Sequence, residues 1–504
     1  MKATAYTELV RNIAVPSVYF FTSTSKRMSE MSSIQDSLQS KLNQLECHFN
    51  WDIKKEHLVL TDILSKLEEQ VEMGIGKEQG VARTHCSLGY VKYLLGSKEE
   101  ALTHLLKSET LIKENLGISC DKTLIVTYGN LAWINYHMKN YTESESYLMK
   151  IQKINETFPA ELSSEVLGEK GWAYLKISHK YYNKAAEVFQ KAVELDPENS
   201  EWNVGYAIAL YRTETEKDFT VDSPAIKQLK QAIDIDPDDD ASRALLGVKF
   251  LFCSKELMNE SEKLIETALK GSPENPHVIR YVGKYFRNQG SLDRSVALLK
   301  KALETSPNSG FIHHQLAMCY KTKKINLKKE KRKVNKSEVN NARNQCIYHL
   351  EKAISLKAGF IIAMSELAIQ YGEKHDLPKA EKLFDRTFKT AREKNDSVHV
   401  VNFFYAEFQQ YCNRCEDLAI SHYKQCLGMS PHTSEGNRSA QKLKNIAQRY
   451  IKDDPGDWKA NEILGFIYQM KGEMFGDTKS YAATSGNEED DESLSNLCEI
   501  NCKI

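Results

Sequence analysis

Little in this sequence would break a helix. Its 504 residues include only 24 glycines and 11 prolines, and the prolines tend to close stretches of helical periodicity. Turn-dense all-β classes are therefore disfavoured and an all-helical chain is expected. No apolar run is long enough to span a bilayer; the patch from Ile13 to Phe21 is short and is broken by Pro16. Formal net charge is −1, so the molecule is not a polycation and any basic surface must be local. The eleven cysteines are odd in number and scattered, which excludes a compact disulfide framework. Free thiols in a reducing, cytoplasmic setting fit better. Signatures of catalysis are missing too: there is no P-loop, no G-x-S-x-G and no H-E-x-x-H. The lone C-x-x-C at Cys412 and Cys415 lacks a second pair to complete a zinc site. These absences argue against an enzyme.

What is present is a repeat. Between Gly171 and Asn199, Ala173 is followed after twelve residues by Ala185, then by Phe189, Ala192 and Pro197 at intervals of four, three and five. Small residues at these points let two helices approach closely, an aromatic fills the gap, and proline stops the second helix. The spacing recurs at Gly89/Ala101/Leu105/Ser108, Ala132/Ser144/Leu148/Ile151, Gly283/Ser295/Leu299/Ala302 and Ala368/Ala380/Phe384/Thr387. Looser versions end at Ala232 and Pro237, at Ala268 and Pro273, at Leu350 and Ala353, and at Cys426 and Pro431. A final helix carries Leu464, Gly465 and Tyr468. The spacing predicts an all-α tetratricopeptide-repeat superhelix of about nine helix-turn-helix units, whose inner wall is built from the first helix of each unit. A helix over 32–49 and another from Leu60 to Met73 are expected to precede the repeats. Residues 1–30 read as a disordered extension, 31–475 as the superhelix, and 476–504 as a degenerate acidic tail.

The candidate chemistry lies on first helices. Arg280, Lys284 and Arg287 share one face at i, i+4 and i+7, with Tyr281 beside them, while Val278, Ile279, Val282 and Phe286 form the packing stripe. Lys176 and Arg212 fall on the same side of their own helices, with His313 and His314 near it. Cations drawn from several units suit a polyanion, and phosphate is the obvious match. Trp172, Tyr181, Tyr182 and Tyr281 add flat faces, and cations with aromatics are the usual combination for a single-stranded nucleic acid. Trp172 also reads as a core residue, since it adjoins the helix-contact position Ala173. Between Lys321 and Arg343 there are ten Lys or Arg and two Glu. This run is expected to form an exposed basic loop.

Several stretches resemble the interferon-induced proteins with tetratricopeptide repeats: LECHFNWDI (45–53), YGNLAWINYHM (128–138), KGWAYLKISHKYYNKA (170–185), NVGYAIALYR (203–212), RYVGKYFRNQGS (280–291), LLKKALETSPNSGFIHHQLAMCYK (298–321) and ILGFIYQMKGE (463–473). The resemblance implies a cytoplasmic antiviral protein that captures the 5′ end of single-stranded RNA, triphosphate or cap, in a basic channel and restrains its translation. It implies phosphate contacts at Gln70, Lys176, Arg212, Arg280, Tyr281, Lys284, Arg287, His314 and Gln315. Trp172 and Ile208 match positions at the cap base, and Tyr182 a tyrosine that touches RNA. Asp62 is implied as the metal candidate, for a magnesium or sodium ion held with the RNA phosphates; no other cofactor is expected. Implied partners are RNA, the translation-initiation machinery and related family members, with no membrane. Lys66, Gly74 and His277 depart from the family pattern, and the last repeat is degraded. The alternative is a scaffold that holds an acidic peptide or partner protein in the same groove.

Overall fold

The computed structural model describes residues 35–72, 78–117, 121–157, 162–214, 220–305, 307–329, 336–394 and 397–471. The expected extension (1–30), the acidic tail (476–504) and Gly74 lie outside the described residues. Every regular element among those described is helical. Residues 35–42 (α1) are followed by α2 (Leu60–Glu72), α3 (Glu78–Leu94), α4 (Lys98–Leu116), α5 (Asp121–His137), α6 (Tyr141–Thr157), α7 (Leu162–Ile177), α8 (Tyr182–Leu195) and α9 (Ser200–Thr213). Then come α10 (Pro224–Ile235), α11 (Asp240–Cys253), α12 (Met258–Gly271), α13 (Pro276–Gln289), α14 (Leu292–Thr305), α15 (Gly310–Lys329) and α16 (Lys336–Leu356). The last are α17 (Ile361–Glu373), α18 (Leu377–Glu393), α19 (Val398–Phe408), α20 (Glu416–Met429), α21 (Ser434–Asp453) and α22 (Trp458–Lys471). The expected all-α tetratricopeptide architecture is the one found. No described helix is long and apolar enough to cross a membrane.

The chain divides into two compact units, Met1–Ala209 and Leu210–Ile504, and the division falls within α9. In the first unit α3, α5 and α7 pack on one another, and α4, α6 and α8 each pair with the helix before them. In the second, α11 packs on α13, α13 on α15, α17 on α19 and α19 on α21, with α12, α14, α16, α18, α20 and α22 as their hairpin partners. The small residues act as the spacing implied. Phe189 is fully buried, and a Cβ added at Gly171 or Gly205 would come within 2.8 or 2.4 Å of its ring. The aromatic therefore occupies space that glycine leaves on two helices at once. Where the second helix carries serine, its hydroxyl donates to the carbonyl of the small residue: Ser144 to Ala132 at 2.8 Å, Ser261 to Gly247 at 2.6 Å and Ser295 to Gly283 at 2.7 Å. Each bond satisfies a buried hydroxyl at the point of closest approach. The α11–α12 pair keeps this contact although Gly247 and Ser261 are fourteen residues apart, because a 3-10 turn at Lys255–Leu257 takes up the extra residues.

Two expectations are corrected. The first helix is shorter than 32–49: among the described residues it ends at 42. Beyond it the Asn50 amide donates to the carbonyls of Leu42 and Leu45 at 2.8 and 2.7 Å, and the His48 N–H donates to Asn130. Those bonds capture the groups a longer helix would use. The basic run from Lys321 is not a loop as far as Lys329. It extends α15, because lysine is a good helix former and this face has acidic partners. Lys321 donates to both carboxylate oxygens of Glu366 at 2.8 Å, and Lys324, 1% exposed, donates to Gln370 at 2.8 Å and to Glu373 at 2.7 Å. Much of the apparent surplus of charge is thus neutralised inside the second unit. α21 is an addition that the spacing did not reveal.

Candidate nucleic-acid interface

The second unit holds a cationic cluster on α13 and α15. Val278, Ile279, Val282 and Phe286 are buried in the core, as their stripe predicted, which turns Arg280, Lys284 and Arg287 the other way. Arg280 lies over Phe311, with Cζ 4.4 Å from the ring centroid, and over Tyr281 at 5.7 Å. Lys284 Nζ donates to the Tyr211 hydroxyl at 3.2 Å. Arg287, only 1% exposed, donates through Nη1 to Gln315 Oε1. Its Nε and Nη2 are buried with no hydrogen-bond partner, and among the described residues no carboxylate pairs with it. Burial accordingly holds its pKa below the ordinary arginine value.

His314 adjoins it on α15. It is fully buried against Phe360, with ring centroids 4.8 Å apart, and neither ring nitrogen has a partner among the described residues. Burial, and then the neighbouring charges of Arg287, Lys321 and Lys357, push its pKa down to about 3. Unsatisfied donors in native interiors are rare and need an explanation. A buried guanidinium beside an imidazole, without an acidic partner, is poised for an anion. His313 does not join them: its Nδ1 lies 2.9 Å from Nδ1 of His349 on α16. Arg212 lies partly buried near the end of α9.

The first unit holds a different cluster. Glu165, Glu169, Trp172 and Lys176 follow one face of α7 at steps of four, three and four residues. Lys176 Nζ donates to Thr84 Oγ1 at 2.7 Å and more weakly to the Gly80 carbonyl at 3.4 Å. Burial, with Arg83 nearby, lowers its pKa to about 7. Arg83 on α3 donates through Nε to Glu169 Oε1 at 2.8 Å and through Nη2 to Glu201 Oε2 at 2.7 Å. Burial opposes this charge, but the two carboxylates outweigh it and hold the Arg83 pKa above the ordinary value. Burial also raises the Glu165 carboxyl to about 7. Trp172 is partly buried and packs edge-on against Phe189 at 5.4 Å, the contact its core reading implied. Its ring also lies beside Arg83, with Cζ 5.7 Å from the centroid.

Gln70, Lys66 and Asp62 sit partly buried on α2, which packs on α3 and α7; Lys66 Nζ reaches the Lys176 carbonyl at 3.4 Å. Tyr182 and Ile208 are partly buried at the edge of the core. Tyr181 is a core residue and not a wall residue: its hydroxyl accepts from the Lys54 N–H at 2.8 Å and its ring stacks on Tyr174. Among the described residues no three His, Cys, Asp or Glu side chains converge as a metal-holding group. Sequence reasoning missed Arg83, Glu169 and Glu201. The spacing of Glu165, Glu169, Trp172 and Lys176 was a usable signal, but nothing in the local sequence of α3 points Arg83 at α7 and α9.

The tetratricopeptide repeat family model matches residues 125–158 and 164–199. Human antiviral innate immune response effector IFIT1 is 32% identical over 448 residues, covering 87% of this chain and 93% of the relative. Human interferon-induced protein with tetratricopeptide repeats 2 is 30% identical over 449 residues, with 87% and 93% covered. The solved human IFIT1 dimer with m7Gppp-AAAA superposes with a TM-score of 0.72 at 32% identity, covering 86% of this chain and 96% of that one. Human IFIT1 with PPP-AAAA gives 0.70 at 31%, covering 87% and 96%. With this similarity along most of both chains, and with the repeats already visible in the helix packing, the chain belongs to the interferon-induced proteins with tetratricopeptide repeats.

Proposed function

We propose that this protein captures the 5′ end of single-stranded RNA, bearing a triphosphate or a cap, and restrains translation of foreign RNA in the interferon response. The observation that carries this reading is Arg287 beside His314: among the described residues the buried Nε and Nη2 of Arg287 and both ring nitrogens of His314 have no hydrogen-bond partner and no carboxylate pairs with them, an arrangement complementary to phosphate oxygens. The reading is also supported by the RNA in the IFIT1 structures, m7Gppp-AAAA in one and PPP-AAAA in another.

In the second unit Arg212, Arg280, Lys284, Arg287, His314 and Gln315 neutralise or orient phosphates, and Tyr281 brackets them. In the first unit Lys176 and Gln70 contact phosphate, Trp172, Tyr182 and Ile208 meet the first nucleotides, and Asp62 would supply one carboxylate to a magnesium or sodium ion whose other ligands would have to be RNA phosphates and water, since no three such side chains converge among the described residues. The binding region is 31–475. The protein acts in the cytoplasm by sequestration, without catalysis, alongside related family members and the initiation machinery.

The test is binding of one short RNA carrying a triphosphate, cap, monophosphate or hydroxyl end, at two salt concentrations. Tight binding of triphosphate RNA, lost on hydroxyl RNA, is the expected result. Equal, weak and salt-sensitive binding of all four would refute it, and an acidic peptide would become the better candidate ligand.

A further inference from the structure

The aromatic and acidic box of the first unit already contains a cation. The guanidinium of Arg83 is tied to Glu169 at 2.8 Å and to Glu201 at 2.7 Å. Its Cζ lies 5.7 Å from the Trp172 ring centroid and 5.8 Å from that of Trp202. The side chain is 7% exposed, and all five residues belong to one unit. Tryptophan rings backed by carboxylates form the chemistry that selects a flat, delocalised cation. Here the chain supplies that cation itself.

We propose that Arg83 is the specificity-determining residue of this box, an internal occupant that disfavours an N7-methylated guanine at the RNA 5′ end relative to a bare triphosphate. This rests on the 5′-end reading above. An N7-methylated guanine is planar and cationic, and its N1–H and amino group donate to carboxylates. It therefore makes the same demands as a guanidinium: an aromatic face and acceptor oxygens. Glu169 and Glu201 cannot satisfy both. A cap base reaching Trp172 must displace Arg83 and leave a buried guanidinium without its two partners, which is expensive. A triphosphate needs neither the tryptophan faces nor the carboxylates. It is drawn by Lys176, and the positive charge of Arg83 does not oppose it.

The experiment uses the full chain and one short RNA with four ends: hydroxyl, triphosphate, guanosine cap and 7-methylguanosine cap. Affinities are measured by fluorescence polarisation for the wild type, for Arg83→Ala, and for Arg83→Ala combined with Glu169→Gln. The double variant avoids leaving the buried Glu169 and the partly exposed Glu201 both charged without a counter-charge, and circular dichroism verifies folding. The expected result is a rise in methylated-cap affinity relative to triphosphate on the order of tenfold, with a smaller rise for the unmethylated cap. An unchanged ratio in a folded variant that still binds triphosphate RNA overturns the role of Arg83 and leaves 5′-end recognition intact. Wild type that binds hydroxyl and triphosphate RNA equally refutes 5′-end recognition, and this role with it.

Discussion

Replacing Arg287 by methionine should stabilise the protein while weakening its capture of RNA. In the free protein this guanidinium is 1% exposed, and among the described residues its Nε and Nη2 have no partner and only Gln315 accepts from it. Desolvating a charge costs several kcal/mol, and one neutral acceptor offsets only part of that. Methionine fills a similar volume without the charge, and Gln315 loses one hydrogen bond. The balance is a gain of about 1–2 kcal/mol, or about 2–8 °C in melting temperature for a unit of this size. In the complex the same change removes a charged hydrogen bond to phosphate, worth about 1.5–3 kcal/mol, or about 10- to 150-fold in affinity. Thermal unfolding followed by circular dichroism, with and without triphosphate RNA, reads both effects. Wild type should gain about 2.7 kcal/mol with RNA at a hundred times its Kd, and the variant much less at the same RNA concentration. A variant that melts below wild type would show that the guanidinium is well satisfied without ligand. A variant that binds triphosphate RNA like wild type would move the phosphate site elsewhere.

Lys176, whose pKa is lowered to about 7, must take up a proton to hold phosphate, so triphosphate affinity should rise as pH falls. Between pH 8.5 and 7.5 its charged fraction grows about eightfold, and this sets the largest increase expected. Lys176→Met should flatten that profile; an unflattened profile would assign the titration to another group. Gly205→Ala places a Cβ 2.4 Å from the Phe189 ring and should cost about 1–3 kcal/mol in thermal unfolding; an unchanged melt would mean that Phe189 can move aside. Glu373→Gln takes the counter-charge from the Lys324 ammonium, whose side chain is 1% exposed, and leaves it neutral acceptors such as Gln370, whereas Lys324→Met leaves Glu373, 26% exposed, partly in water and still paired with Lys328. The first should therefore cost about 3 kcal/mol and the second less than half of that, and equal losses would refute this account.

The repeat itself was legible in the sequence because each contact that makes a helix pair is local. Ala173 and Ala185, or Gly283 and Ser295, lie twelve residues apart, and their size alone decides how closely two consecutive helices approach. The face of α13 was legible for the same reason: helical geometry places Arg280, Lys284 and Arg287 opposite Val278 and Val282 without reference to any other helix. Charge was harder to read. Lysines 321 and 324 look like part of a solvated run until α17 brings Glu366 and Glu373 against them. Tyr181 and Tyr182 are adjacent and chemically identical, yet only the first is buried, under Lys54.

The amino-acid sequence by itself determined most of the helices, the pairing of the regular units and the side of α13 that carries cations, since all of these follow from periods of a few residues. Tertiary structure alone decided which of those cations keep an unanswered charge. Among the described residues Arg287 reaches only a glutamine, while Arg83, 204 positions away from it in a helix with no cationic stripe, is clasped by carboxylates from α7 and α9. Electrostatic partnership depends on distances of a few ångströms between residues about 90 to 120 positions apart, and no local pattern encodes them.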